Sequence, residues 1–345
     1  MDMQKVITEV DQLLKSVGFS TFSFDFASIQ DRSSYCYDLL VKNANLNLVF
    51  IVKIFMNIDN INTDIIDGIK TLSKLFKSKP LLIGMRNRYQ KLEDNTIYLR
   101  EDLPIISLKT LENILKKDLF PYVFKKRGGG VIFFNGDLVK KIREEKRFSR
   151  KELSEKIGVT KRTICSYESE NMRPSKEIAE KVKTVLGADS RIFRNINVFD
   201  WHFEFNITEV SAKEEEELSD FESHIKNVIE DIGISSYWFK KGQFPFEMLI
   251  SSNKWDVDDF YPLLSDTSEF KKKVKELNLT YLKNLMELFA KKALFIVNND
   301  IKINKILPKS KIPVIKIKSL EKIDDEDQFK RLIQNSESKN SQMIN

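Results

Sequence analysis

The residues with the plainest chemistry lie in the middle of the chain, between Asp137 and Gly187. Lys161 and Arg162 open a short helical pattern, and Ser166 stands about one turn further on. Lys and Arg donate to the O6 and N7 edge of guanine, and a hydroxyl is a tolerant partner for several bases. Arg150 opens the preceding helical pattern, while Thr160, Thr163 and Arg173 flank the second one. Their guanidinium and hydroxyl groups suit phosphate oxygens, which position a protein on nucleic acid without reading sequence. The stretch holds 14 Lys+Arg against 9 Asp+Glu, an excess of five, whereas the whole chain carries only +6. A positive excess concentrated in one segment is the electrostatic footprint of a phosphate-binding module.

A second set of chemical groups lies nearer the N-terminus. Asp38 and Lys53 sit on two neighbouring strand patterns. The pair resembles the Asp and Lys of the restriction-endonuclease-like PD-(D/E)xK pattern, which implies metal-assisted phosphodiester hydrolysis only with a second carboxylate two residues before the Lys. The position two before Lys53 is Ile51, which cannot ligate. Asp59 or Asp64 could replace it only by folding back onto Asp38. The expectation is therefore no catalytic residue and no metal, with Asp38 and Lys53 as vestiges.

The elements that position the basic groups are legible locally. Ser149 followed three residues later by Glu152 is a capping box, and Leu153 and Ile157 continue it as an apolar stripe. Gly158 suits the left-handed residue that ends a helix, and Thr160 can cap the next one, whose inward residues are Ile164 and Tyr167. Ser154 is small enough for two helices to cross closely. The segment SRKELSEKIGVTKRTICSYE resembles the Cro/C1-type (XRE) helix-turn-helix of repressors. The resemblance implies that the second helix enters the major groove of double-stranded DNA. Lys161, Arg162 and Ser166 would then face bases, and Arg150, Thr160, Thr163 and Arg173 the backbone. Two departures stand out. Arg150 replaces a common Gln, and SENMRPS follows Glu168 where a Gly is usual.

Flanking this segment, residues 1–127 read as helix, antiparallel strands, helix, then strands alternating with helix. That order, with Asp38 and Lys53, resembles the restriction-endonuclease-like PD-(D/E)xK fold in degenerate form. Residues 128–136 read as a Gly-rich linker with a short strand, 137–198 as the helix-turn-helix domain, and 333–345 as a disordered tail. Residues 199–332 repeat the first domain: LLKSVGFSTFSFDF matches VIEDIGISSYWFKK, YDLLVKN matches FEMLISSN, and two further blocks recur in the same order. Glu247 then takes the place of Asp38, and the strand bearing Lys53 has no evident counterpart, being replaced by acidic WDVDDFYPLLSD. Asp256, Asp258 and Asp259 there are spaced too loosely for a calcium loop. The fold class expected is thus α/β multi-domain, a central all-α Cro/C1-type module between two related mixed α/β domains. Taken over its length, with YDLL, VKIF, PLLIG and RGGG before the helix-turn-helix, the chain resembles a group of archaeal Cro/C1-type transcriptional regulators.

Composition narrows the function further. The chain has 345 residues, 41% hydrophobic and 31% charged, enough apolar content for real cores. LNLVFIVKIF, the strongest apolar run, is interrupted by Lys53 and falls well short of the ~20 residues that cross a bilayer. Cys36 and Cys165 form no metal or disulfide pattern, and His202 and His224 have no evident nucleophile or orienting partner. The sequence reading is a cytoplasmic, nucleoid-associated homodimer that binds duplex DNA and reads its sequence. It expects no cofactor, membrane or small molecule. A targeted nuclease and a non-specific nucleoid protein are its rivals.

Overall fold

In the computed structural model the described residues are 2–23, 35–43, 48–127, 129–206, 211, 215–239, 244–252, 260–268, 276–301 and 312–342. They form two compact units, one of residues 1–21, 37–63 and 79–203, the other of 22–36, 64–78 and 204–345.

The first unit begins with α1 (Met3–Ser16), capped by Asp2 and buried through Val6, Val10 and Leu14. Strands β1 (Ser20–Ser23), β2 (Leu39–Asn43) and β3 (Leu48–Asn57) follow. β3 is almost continuously apolar, as befits a strand covered on both faces, and Ile51, Val52 and Ile54 are at most 1% exposed. Helix α2 (Thr63–Leu75) belongs to the second unit, described below. The first resumes with β4 (Lys79–Arg86), β5 (Thr96–Arg100), β6 (Leu103–Ile106), α3 (Leu108–Lys117), β7 (Val123–Lys126) and β8 (Gly129–Ile132). These strands make one eight-stranded sheet in the order β1-β2-β3-β4-β6-β5-β7-β8.

The segment expected to be a Gly-rich linker with a short strand does form a strand, β8, and that strand is part of the sheet. β8 pairs antiparallel with β7, from Val123 opposite Ile132 to Lys126 opposite Gly129. The glycines serve a tight hairpin, and Gly129 adopts φ 137°, which L side chains rarely tolerate. Ile132 and Phe134 then enter the same apolar core as Leu153, Ile164, Tyr167 and Leu186. A freely jointed linker could not bury side chains in the domain it leads to, whereas Ile132 and Phe134 are buried there.

Four helices follow: α4 (Gly136–Glu145), α5 (Arg150–Ile157), α6 (Lys161–Glu168) and α7 (Lys176–Leu186). The stretch SRIFRNINVFDW after Gly187, whose pattern offers one more short helix, forms only the single turns Ser190–Ile192 and Val198–Asp200. The chain instead turns back to the sheet, where the Trp201 indole N–H donates to the Asp102 carbonyl at 2.9 Å.

The second unit contains α2, α8 (Asp220–Asp231), β9 (Ile234–Trp238), β10 (Met248–Ser252), β11 (Leu263–Ser268), α9 (Glu276–Phe289), β12 (Ala293–Val297), β13 (Val314–Lys316), α10 (Ile317–Leu320) and α11 (Glu326–Gln342). α2 is buried on nearly every side, and within the second unit Phe76 stacks on Phe289 at 4.1 Å. Its sheet runs β13-β12-β11-β10-β9. The tail also differs from expectation: α11 continues to Gln342, anchored where Phe329 and Ile333 enter the core.

The two sheets share a plan. β2/β3 and β10/β11 are antiparallel, and β3/β4/β6 and β11/β12/β13 are parallel in the same order. The four recurring sequence blocks therefore fold alike, with β5, β7 and β8 as added strands in the first sheet.

Candidate nucleic-acid interface

α5 and α6 are built by short-range contacts. The Ser149 hydroxyl accepts from the Glu152 amide at 3.1 Å, and the Glu152 carboxylate accepts from the Ser149 amide at 2.7 Å. Gly158 ends α5 in the left-handed conformation, φ 78°. Thr160 caps α6, its oxygen accepting from the Thr163 amide at 3.1 Å. Leu153, Ile157, Ile164 and Tyr167 turn inward, and Ser154 is buried beside them. Lys161 and Arg162 are exposed at the N-terminal end of α6, and Ser166, four residues after Arg162, is half-buried on the same helix. The helix thus presents two cations and a hydroxyl while its opposite side fills the core.

Beneath α6 lies a contact that the sequence reading missed. Glu168 is 7% exposed, and its carboxylate accepts from Arg143 Nε at 2.5 Å and from Arg150 Nε at 2.7 Å. The Arg143 guanidinium also donates to the Phe148 carbonyl at 2.8 Å. Three helices are thereby tied at one buried charge. Arg150, expected on phosphate, has its Nε committed to this pair, and the carboxylate raises the guanidinium's pKa further above its ordinary value. The i to i+25 spacing of Arg143 and Glu168 gives no local signal that could have revealed it.

The unusual exit from α6 has a physical account. Glu170 takes φ 59°, standing where a glycine would be at ease. Its carboxylate offsets that strain by accepting from the Gly136 amide at 2.9 Å and from Arg194 at 2.5 Å. Both contacts hold its carboxyl below the usual range, the Arg194 hydrogen bond most. Arg173 lies exposed in this loop, its guanidinium 4.2 Å from the Phe133 ring centroid.

The other chemical set is closed off. Asp38 is 2% and Lys53 5% exposed, and the Lys53 ammonium donates to Asp38 at 3.2 Å. The second Asp38 oxygen accepts from the Ile54 amide at 2.7 Å. Ile51, at the position a second metal-binding carboxylate would need, is fully buried. Asp59 is engaged elsewhere, with Arg100 at 2.7 Å and the Arg88 amide at 2.9 Å. In the second sheet the register corrects the expectation for Lys53. Leu39 opposes Val52 and Met248 opposes Ser265, so Asp266 occupies the place of Lys53 beside Glu247. The backbone matches too: the Asp38 amide donates to Val52 and the Glu247 amide to Ser265. Asp256, Asp258 and Asp259 lie outside the described residues. Among the described residues no three His, Cys, Asp or Glu side chains group as a metal site, and no helix is long and apolar enough to cross a membrane.

Comparison with known proteins agrees with this layout. Residues 3–120 match a PD-(D/E)XK superfamily domain and residues 139–193 a helix-turn-helix. Over 335 residues the chain is 28% identical to a provisionally named HTH-type transcriptional regulatory protein of Methanobrevibacter smithii, covering 96% of this chain and 97% of the relative. A similarly named protein of Pyrococcus furiosus is 27% identical over 96% and 98% of the two chains. One of Methanothermobacter thermautotrophicus is 31% identical over 57% of this chain and 60% of its own. No solved structure matches. The chain is thus a multi-domain α/β protein with a degenerate PD-(D/E)XK domain followed by a Cro/C1-type helix-turn-helix, similar over most of its length to these archaeal regulators.

Proposed function

We propose that this protein is a sequence-specific DNA-binding transcriptional regulator, acting in the cytoplasm on the nucleoid as a homodimer. The observation that carries the reading is α6: capped by Thr160, anchored by Ile164, Tyr167 and Glu168, and offering exposed Lys161 and Arg162 at its N-terminal end. That is the end which meets base edges when such a helix enters the major groove. Lys161, Arg162 and Ser166 read bases, and Arg150, Thr160, Thr163 and Arg173 approach phosphate, Arg150 with the part of its guanidinium left outside the Glu168 pair. Two-fold pairing sets half-sites about one helical turn apart. In this reading the buried Asp38–Lys53 pair is structural.

The test is selection of bound fragments from a random duplex library at ~150 mM salt, with and without magnesium, because lower salt exaggerates non-specific binding. An enriched motif with two-fold symmetry on intact fragments supports the regulator. Uniform retention of all sequences overturns base reading in favour of a nucleoid protein. The PD-(D/E)XK match favours one rival, a nuclease targeted by the helix-turn-helix. Magnesium-dependent shortening of fragments, lost in Asp38→Ala, would establish it.

A further inference from the structure

At the far edge of the first sheet from β1 lies a cleft of about 540 Å³, distinct from the helix-turn-helix surface. Its walls are the turn after β4, which carries Arg88 and Tyr89, and the β7–β8 hairpin, which carries Lys126, Arg127, Gly129 and Gly130. We propose that this cleft holds sugar–phosphate backbone of the DNA duplex bound by α6, beyond the bases that α6 reads. The inference rests on the DNA-binding reading above and extends its footprint onto the sheet domain.

Five cations line the cleft, Arg88, Arg100, Lys125, Lys126 and Arg127, against one carboxylate, Asp59. Two of the five are already spoken for. Arg100 is held by Asp59 at 2.7 Å, and Lys125 by Glu93 at 2.5 Å. Arg88 and Lys126 are exposed and make no ion pair among the described residues, and Arg127 reaches Glu101 only at 3.5 Å. Asp59 serves the site from below: it accepts the Arg88 amide at 2.9 Å and so fixes the turn that presents the Arg88 side chain. Tyr89 is 86% exposed, a ring and hydroxyl standing in water next to that arginine. Opposite it, a Cβ at Gly129 would meet nothing, and one at Gly130 only the Lys125 side chain. At Gly129, therefore, no side chain keeps a phosphate from the hairpin backbone. Three exposed cations, two of them without an ion pair among the described residues, a polar-tipped aromatic and the open backbone of Gly129 suit a polyanion that brings sugar as well as phosphate.

Position argues for the duplex on α6 as the occupant. β8 leaves the cleft at Gly130, and the next residue, Val131, bridges to Ser175 at the start of α7. Glu93 binds both Lys125 of the hairpin and Lys176 of α7, at 2.5 and 3.0 Å. The cleft is thus pinned to the segment that leaves the recognition helix and contains Arg173.

The experiment compares the full-length protein with the triple variant Arg88→Ala, Lys126→Ala, Arg127→Ala, and with the single reversal Lys126→Glu. Affinity for a selected binding duplex, for the same duplex extended by ~10 bp, and for scrambled duplexes is measured across a salt series. All altered side chains are exposed, and circular dichroism checks that the variants fold. The parent protein should gain affinity from the extension. The triple variant should lose that gain, and its slope of log K against log salt should fall by about 2 to 3 per protomer, near 0.9 for each lost phosphate contact. Lys126→Glu should behave similarly but less strongly, and the preference for selected over scrambled duplex should stay. An unchanged slope and unchanged length dependence overturn the proposal. So does a thermal shift with inorganic triphosphate that the variant abolishes while its DNA slope is kept, because the cleft then serves a free anion. If the slope falls but no sequence preference exists, the cleft stands and base reading by α6 fails. If no duplex binds at any length, both fail.

Discussion

Glu168 is the residue through which the basic surface is held in shape. Its carboxylate is buried between Arg143 and Arg150, and an uncompensated buried guanidinium is costly. Glu168→Ala is expected to destabilise the first unit by about 3–5 kcal/mol, read as a drop in the urea midpoint. A change below about 1 kcal/mol would show that water replaces the carboxylate and that the pair does little. Arg150→Ala leaves Arg143 in place and should cost less stability than Glu168→Ala. Arg162 is different because it is exposed and the helix does not need it. Arg162→Ala should leave the urea midpoint unchanged while costing ~1–3 kcal/mol of binding at one base position. Equal loss on every sequence would move Arg162 from base to backbone.

At the scale of elements, the first turn of α4 and the exit of α6 must be placed together. Gly136 sits where they meet: a Cβ there would overlap the Glu168 carbonyl. Since the Gly136 amide also donates to Glu170, the two helices cannot part without losing that bond. Gly136→Ala should therefore destabilise by roughly 1–3 kcal/mol, against the ~0.4–1 kcal/mol usually gained when Ala replaces Gly at a position it can adopt. Thermal melts of the two proteins decide it, and a stabilised variant would mean that α4 can shift without penalty. The β7–β8 hairpin makes a related point. Gly129 and Gly130 belong to a stretch with the composition of a linker, yet they begin β8, which joins a sheet on one side and a helical core on the other.

For the molecule as a whole, the first unit gains its coherence from contacts that span the sheet and the helices. Glu93 is one of them, and its carboxyl is held below the usual range, chiefly by the Lys125 hydrogen bond, with burial opposing and Lys176 adding. A carboxyl with a depressed folded pKa contributes stability above its ordinary pKa and loses it as pH falls through the folded value. Glu93→Gln should thus lower stability near pH 7 by up to ~1 kcal/mol, because the pairs are only part-buried. Near pH 3, below the ordinary Glu range, the gap between variant and parent should be smaller than at pH 7. Urea titrations at both pH values test this, and a deficit of equal size at low pH would show that the loss is one of packing.

What the sequence by itself determined is whatever depends on neighbours three or four residues apart, or on period. Ser149 with Glu152, Gly158, Thr160 and the stripe of Leu153 and Ile157 each have their partners within one turn, so the helix-turn-helix and its exposed Lys161 and Arg162 were readable. The ordered repeat of four blocks likewise foretold two sheets of one plan. Tertiary structure decided the rest. Only strand register reveals that Asp266 stands in the place of Lys53, since a single residue's slip would exchange every partner. Only the packing of α4, α5 and α6 brings Arg143 and Arg150 to Glu168. Only the folded hairpin sets Lys126 and Arg127 across a cleft from Arg88 and Tyr89, side chains whose meeting has no local cause to be read.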